Sequence, residues 1–93
     1  MKGLSNEIRH KGAVFYVQTQ DIGPASGYVE SLIYKAGQLL TSRKSFYYSH
    51  LNSPDLQERV INLMKEQHRA ILGDIQTGRF DHFLSPSERE SGE

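Results

Sequence analysis

The chain has 93 residues, enough for one domain and too few for two. Apolar residues make up 37% of it and charged residues 24%; 11 basic side chains face 11 acidic ones, so no global field draws in polyanions. Cysteine is absent, which excludes disulfides, thiolate zinc sites and cysteine nucleophiles.

Residues 1–12 are polar, with a turn-length hint of periodicity at Leu4 and Ile8 only, and are expected to form a flexible N-terminal segment. They contain no apolar stretch of signal-peptide length, and no run anywhere approaches the ~20 apolar residues of a membrane span. The expectation is a short cytoplasmic protein of bacterial type, without membrane contact.

From Ala13 to Ile22 the β-branched and aromatic residues Val14, Phe15, Tyr16, Val17 and Thr19 predict a first strand. Gly23-Pro24-Ala25-Ser26-Gly27 ends it, because proline lacks an N–H and glycine permits positive φ. Tyr28–Tyr34 and Gln38–Arg43 read as a hairpin around a three-residue Lys35-Ala36-Gly37 loop with a glycine bulge. That register sets Tyr34 opposite Gln38, Leu32 opposite Leu40 and Ile33 opposite Leu39. Large apolar side chains then stand on both faces, whereas a one-sided sheet alternates cleanly.

Phe46-Tyr47-Tyr48 extends or leaves the third strand. Ser53-Pro54-Asp55 supplies a serine cap, a first-turn proline and an acid, so a helix is predicted from Pro54 to Thr77, ~36 Å long at ~1.5 Å per residue. Leu56, Val60, Leu63, Met64, Ile71 and Ile75 recur at helical spacing, with Ile61 and Leu72 beside them, and cover an arc of ~180°. Gly78 is placed to end the helix and let Phe80 fold back. The polar stretch 85–93 is expected to be disordered. The predicted fold is therefore α+β: a three-stranded antiparallel meander packed against one long C-terminal helix, forming a single domain over residues 13–84.

No catalytic motif stands out, and no cofactor or metal is expected. His10, His50, His68 and His82 are far apart, without a second ligand at metal-motif spacing. His68, at the edge of the helical arc, suits a general base or ligand, but a packed ring with a hydrogen-bonded nitrogen is the favoured reading. Gly23–Gly27 lacks the lysine and helix start of a phosphate loop. Asp55 and Glu58, and Asp74 and Asp81, belong to the two helix ends.

One helix covers one sheet face, so the second apolar face calls for another cover, most simply a second copy. The expected function is that of a non-catalytic homo-oligomeric interaction or accessory domain, a homodimer with Leu32, Tyr34, Leu40, Ile61, Met64, Ile71 and Ile75 in the seam; another protein is the next candidate to cover that face. The alternative is a nucleic-acid-binding module using Arg43, Lys44, Tyr47 and Tyr48, with cations on phosphates and rings on bases. Three strands followed by a helix, with Gly37 and Arg43-Lys44, resemble the sheet-reading DNA-binding domains of plant ethylene-response factors and the arm-binding domains of tyrosine recombinases, and that resemblance implies DNA contact through the sheet. Against it stand Glu30 and Asp21 in the sheet, the longer helix and the zero net charge. The double-stranded-RNA-binding fold is set aside because Ser53-Pro54-Asp55-Leu56 replaces its basic helix start.

Overall fold

The computed structural model describes residues 3–89, with the strands β1 Leu4–His10, β2 Ala13–Gly23, β3 Tyr28–Lys35 and β4 Gln38–Phe46 in one antiparallel sheet of order β1-β2-β3-β4. A 3-10 turn at Tyr48–His50 leads to α1, Leu56–Gln76, and a second at Asp81–Phe83 leads to the short α2, Pro86–Arg89. The sheet and long helix are as expected, but the strands number four instead of three.

The additional strand comes from the N-terminal segment. Leu4, Asn6, Ile8 and His10 alternate toward the helix while Ser5, Glu7 and Arg9 face away, a period of two that four-residue spacing also mimics. Lys11 and Gly12, with φ of 52° and 79°, make a two-residue turn whose twist matches that of the strands it joins. The same device joins β3 to β4, where Ala36 and Gly37 have φ of 51° and 79° and Lys35 pairs with Gln38. The expected three-residue loop is thus a two-residue one. The extra residue enters later, at Leu40, where pairing slips from Tyr34–Leu39 to Ile33–Thr41. A one-residue shift exchanges the faces, so Leu39 joins Tyr34 on the outside and Leu40 turns toward the core.

Inward positions of the central strands are closed: Ala13, Phe15, Val17 and Thr19 on β2, and Val29, Ser31 and Ile33 on β3, are all buried. They meet α1 in two apolar clusters. One joins Phe15, Val17 and Ile33 to Ile71, Ile75, Phe80 and Leu84; the other joins Val29 and Tyr47 to Val60 and Met64.

The helix begins at Leu56, two residues later than expected, and spans ~32 Å at ~1.5 Å per residue. Ser53 is not its cap. Asp55 holds that position without capping a backbone N–H, and its carboxylate pairs with Arg59 at 2.9 Å instead. The C-terminus is as the sequence indicates. Arg79 N–H donates to Asp74 O at 2.9 Å and Gly78 N–H to Ile75 O at 3.3 Å, with Gly78 at φ 91°, a Schellman end that turns Phe80 into the core.

The start of the expected disordered tail is ordered. Ser85 N–H donates to Glu88 Oε1 at 2.8 Å and Glu88 N–H to Ser85 Oγ at 3.3 Å, a reciprocal capping box with Pro86 at the first helical position. Lys35 ties it to the sheet through Glu88 at 2.9 Å. Residues 1–2 and 90–93, the ends of the expected flexible segment and tail, lie outside the described residues. Trimming Ile71, fully buried at the centre of the larger cluster, to alanine is expected to cost about 2–5 kcal/mol, read as a lowered urea midpoint at unchanged m-value.

Candidate functional site

Two features stand apart from ordinary core and surface: a polar belt under the helix and an aromatic face on the far side of the sheet.

The belt lies between the two apolar clusters and reaches every strand. Asn6 on β1, Thr19 on β2, Ser31 on β3, and Arg43 and Ser45 on β4 all point toward α1, which answers with Gln67 and His68. Asn6 Oδ1 lies 2.8 Å from His68 Nε2, and Thr19 Oγ1 lies 2.8 Å from Nδ1. An amide oxygen accepts only, so Nε2 carries the proton and Nδ1 accepts from the Thr19 hydroxyl. Thr19 Oγ1 then accepts from Ser31 at 2.6 Å, and Ser31 Oγ accepts from Gln67 Nε2 at 2.8 Å. Gln67 Nε2 also donates to Arg43 O at 3.1 Å, while Gln67 Oε1 accepts from Ser45. Every proton in the chain has one place. Among the described residues no buried side-chain polar atom lacks a partner.

His68 is therefore a packed histidine with both ring nitrogens engaged, and no free nitrogen remains for a ligand. Burial lowers its pKa, and a second ring proton on Nδ1 would force the Thr19 and Ser31 hydroxyls to reverse. As pH falls below the ordinary histidine value of ~6.5, the unfolded chain gains a proton that the folded chain refuses. Stability is full above that pH and is lost on the way down to the lowered folded value, with a slope of at most ~1.4 kcal/mol per pH unit. Urea unfolding between pH 7.5 and 5 should show this decline, and His68→Gln, which retains a donor and an acceptor, should flatten it. Equal slopes in the two proteins would dissociate the acid limb from His68.

The outer sheet face is built by the other half of the pleat. Tyr16 and Tyr34 face each other across β2 and β3 with ring centroids 6.1 Å apart. Tyr28 and Phe46 pair across β3 and β4 at 5.2 Å, and Phe46 stacks on Tyr48 at 5.4 Å. Gly27 permits this end cluster: a Cβ there would stand 2.4 Å from the Tyr48 ring. Leu39 continues the Tyr16–Tyr34 row onto β4, and Leu32, then Glu30 and Lys44, lie between that row and the Tyr28–Phe46 pair. Tyr16 is 40% exposed, Leu39 51%, Phe46 56% and Tyr48 59%, an exposure that large apolar side chains share only where nothing of the chain itself covers them. The charges on this face have both signs. Glu30 stands opposite Lys44, whose Nζ lies 4.9 Å over the Tyr28 ring, and Glu7 and Arg9 project from β1.

The residues singled out for self-association separate onto different parts of the molecule. Leu32 and Tyr34 lie on the outer face. Met64, Ile71 and Ile75 are buried in the chain's own core, Leu40 is half-buried beside it, and Ile61 is half-buried on the helix. The four residues of the nucleic-acid reading also part company. Lys44 and Tyr48 are outside, whereas Arg43 turns to the helix and meets Asp74 at 3.2 Å. Tyr47 is buried, its hydroxyl donating to Asp21 at 2.6 Å; burial first, and then the Asp21 carboxylate, push its pKa up to about 12.

The sequence expectation for the seam does not include Tyr16, Tyr28, Leu39 or Phe46, although β2 carries the signal in its alternation of Phe15, Val17 and Thr19 with Tyr16, Gln18 and Gln20. Among the described residues no group of three histidine or acidic side chains is placed to hold a metal ion, and no helix is long and apolar enough to cross a membrane. Comparison with protein-family models, curated proteins and solved structures gives no match, so the reading rests on the chemistry of the surface itself.

Proposed function

We propose that the protein is a non-catalytic, cytoplasmic interaction domain that forms a homodimer through its outer sheet face. The observation that carries this reading is the outer row of Tyr16, Tyr34 and Leu39, with Leu32 beside it, together with the Tyr28, Phe46 and Tyr48 cluster; Tyr16, Leu39, Phe46 and Tyr48 among them are exposed and the rest half-buried. Aromatic residues are enriched in interfaces because they offer large contact area at low entropic cost. The charges favour a second copy: Glu30 and Lys44, like Glu7 and Arg9, give each copy an acid and a base to present to their opposites across a two-fold axis.

Nucleic acid fits this face less well. Its two cations are matched by two anions, so phosphates gain no net attraction, and Arg43 and Tyr47 are turned away from it. The fourth strand also departs from the three-strand layout that suggested DNA.

Light scattering after size exclusion, at several concentrations, is expected to give twice the chain mass of 10.6 kDa. Leu32→Glu, which sets a carboxylate in the seam without touching the core, is expected to weaken the dimer about 100-fold, equivalent to about 3 kcal/mol. A wild-type chain that remains monomeric at high concentration, or a Leu32→Glu dimer as strong as the wild type, refutes the reading.

A further inference from the structure

On the helix side of the sheet, away from the aromatic face, a cleft of 180 Å³ opens between the N-terminal half of α1 and the end of β2. Leu56, Val60, Ile61 and Met64 give it apolar walls, and Asp21 and Tyr47 form its polar end. The Asp21 carboxylate is held in place by one oxygen only: Oδ1 accepts from the Tyr47 hydroxyl at 2.6 Å and from Gly23 N–H at 2.9 Å. Both donors are neutral. Asp21 forms no ion pair among the described residues, although Arg43, Arg59, Lys11 and Lys35 each have an acid of their own. The exposed Asp21 carboxylate, oriented by two neutral donors, thus stands at the end of an apolar trough, where a cation that brings its own apolar surface would meet both. The first turn of α1 does not oppose this, because Asp55 and Glu58 against Arg59 leave that end net negative.

We propose that this cleft binds a small free primary amine, its ammonium group at Asp21 Oδ2 and its short alkyl tail between Leu56, Ile61 and Met64. The cleft is large enough to take a short unbranched chain such as that of n-pentylammonium. The site uses neither the outer face nor the dimer, so it stands or falls separately from the proposed function.

The test is an NMR titration of the full chain, following the methyl groups of Leu56, Ile61 and Met64 with n-pentylammonium, 1-pentanol and pentanoate. Saturable shifts with the ammonium, at least tenfold weaker binding of the alcohol and acid, and about tenfold weakening in Asp21→Asn are expected. Asparagine keeps an acceptor for Tyr47 and Gly23, and the three-ligand comparison on the wild type decides the matter should that variant fail to fold. Equal binding of pentanol, unchanged binding in the variant, or no saturable shift overturns the proposal. So does tighter binding of Nα-acetyl-lysine amide than of pentylammonium, which would make the occupant a lysine side chain of another protein.

Discussion

The rest of the structure depends on the contact that Gln67 and His68 make with all four strands. An apolar helix on an apolar sheet is held by area, and area is indifferent to a slide along the helix axis. The belt is not. Thr19 and Ser31 carry hydroxyls into the fully buried centre of the sheet, and each unsatisfied buried hydroxyl costs about 1–3 kcal/mol. Only Gln67 and His68, adjacent on α1, offer the donor, the acceptor and the reach that complete the chain from Ser45 to Asn6. Sliding the helix by one turn, ~5.4 Å, would break every one of these bonds. The belt therefore sets where α1 lies, and with it how the apolar clusters on either side close.

Fixing the helix on one face determines what is left over. The C-terminal segment returns to the same side: Phe80 and Leu84 enter the larger cluster, and Asp81 ties to His10 at 2.9 Å and Lys11 at 2.8 Å. The hydrogen bond from Lys11, and after it the one from His10, hold the Asp81 carboxyl below its usual range. Every described element after β4 that enters the core thus serves the inner face. On the outer face Tyr16, Leu39, Phe46 and Tyr48 stay exposed among the described residues, and this one-sidedness is the physical reason to expect a partner there.

Much of this layout was legible in the residues. β2 and β3, the helix and its glycine end follow from β-branched runs, 3.6-residue spacing and Gly78. What was not legible has specific causes. Leu4 and Ile8 are four apart, a spacing that fits a helical turn and an alternating strand alike, so β1 was invisible until its partner β2 was in place. Ala36 has positive φ, which a non-glycine residue seldom adopts, and that hid the two-residue turn and shifted the faces of Leu39 and Leu40. The Ser85-Pro86-Ser87-Glu88 box was readable, but a polar composition masked it. Thr19, Ser31 and Gln67 carry no individual signal in the sequence; only long-range pairing shows that they answer one another. The helical spacing puts His68 at the edge of the apolar arc, yet its partners Asn6 and Thr19 come from strands 62 and 49 residues away in sequence.

The central claim is that the uncovered sheet face is where two copies meet. Isotope-filtered NOE measurements on a mixture of labelled and unlabelled chains test it directly, since only contacts between copies give signals. The account predicts intermolecular contacts that join Tyr16, Leu32, Tyr34 and Leu39 and leave the α1 surface silent. Intermolecular contacts confined to α1 or to the edges of β1 and β4, or none at millimolar concentration, would contradict it.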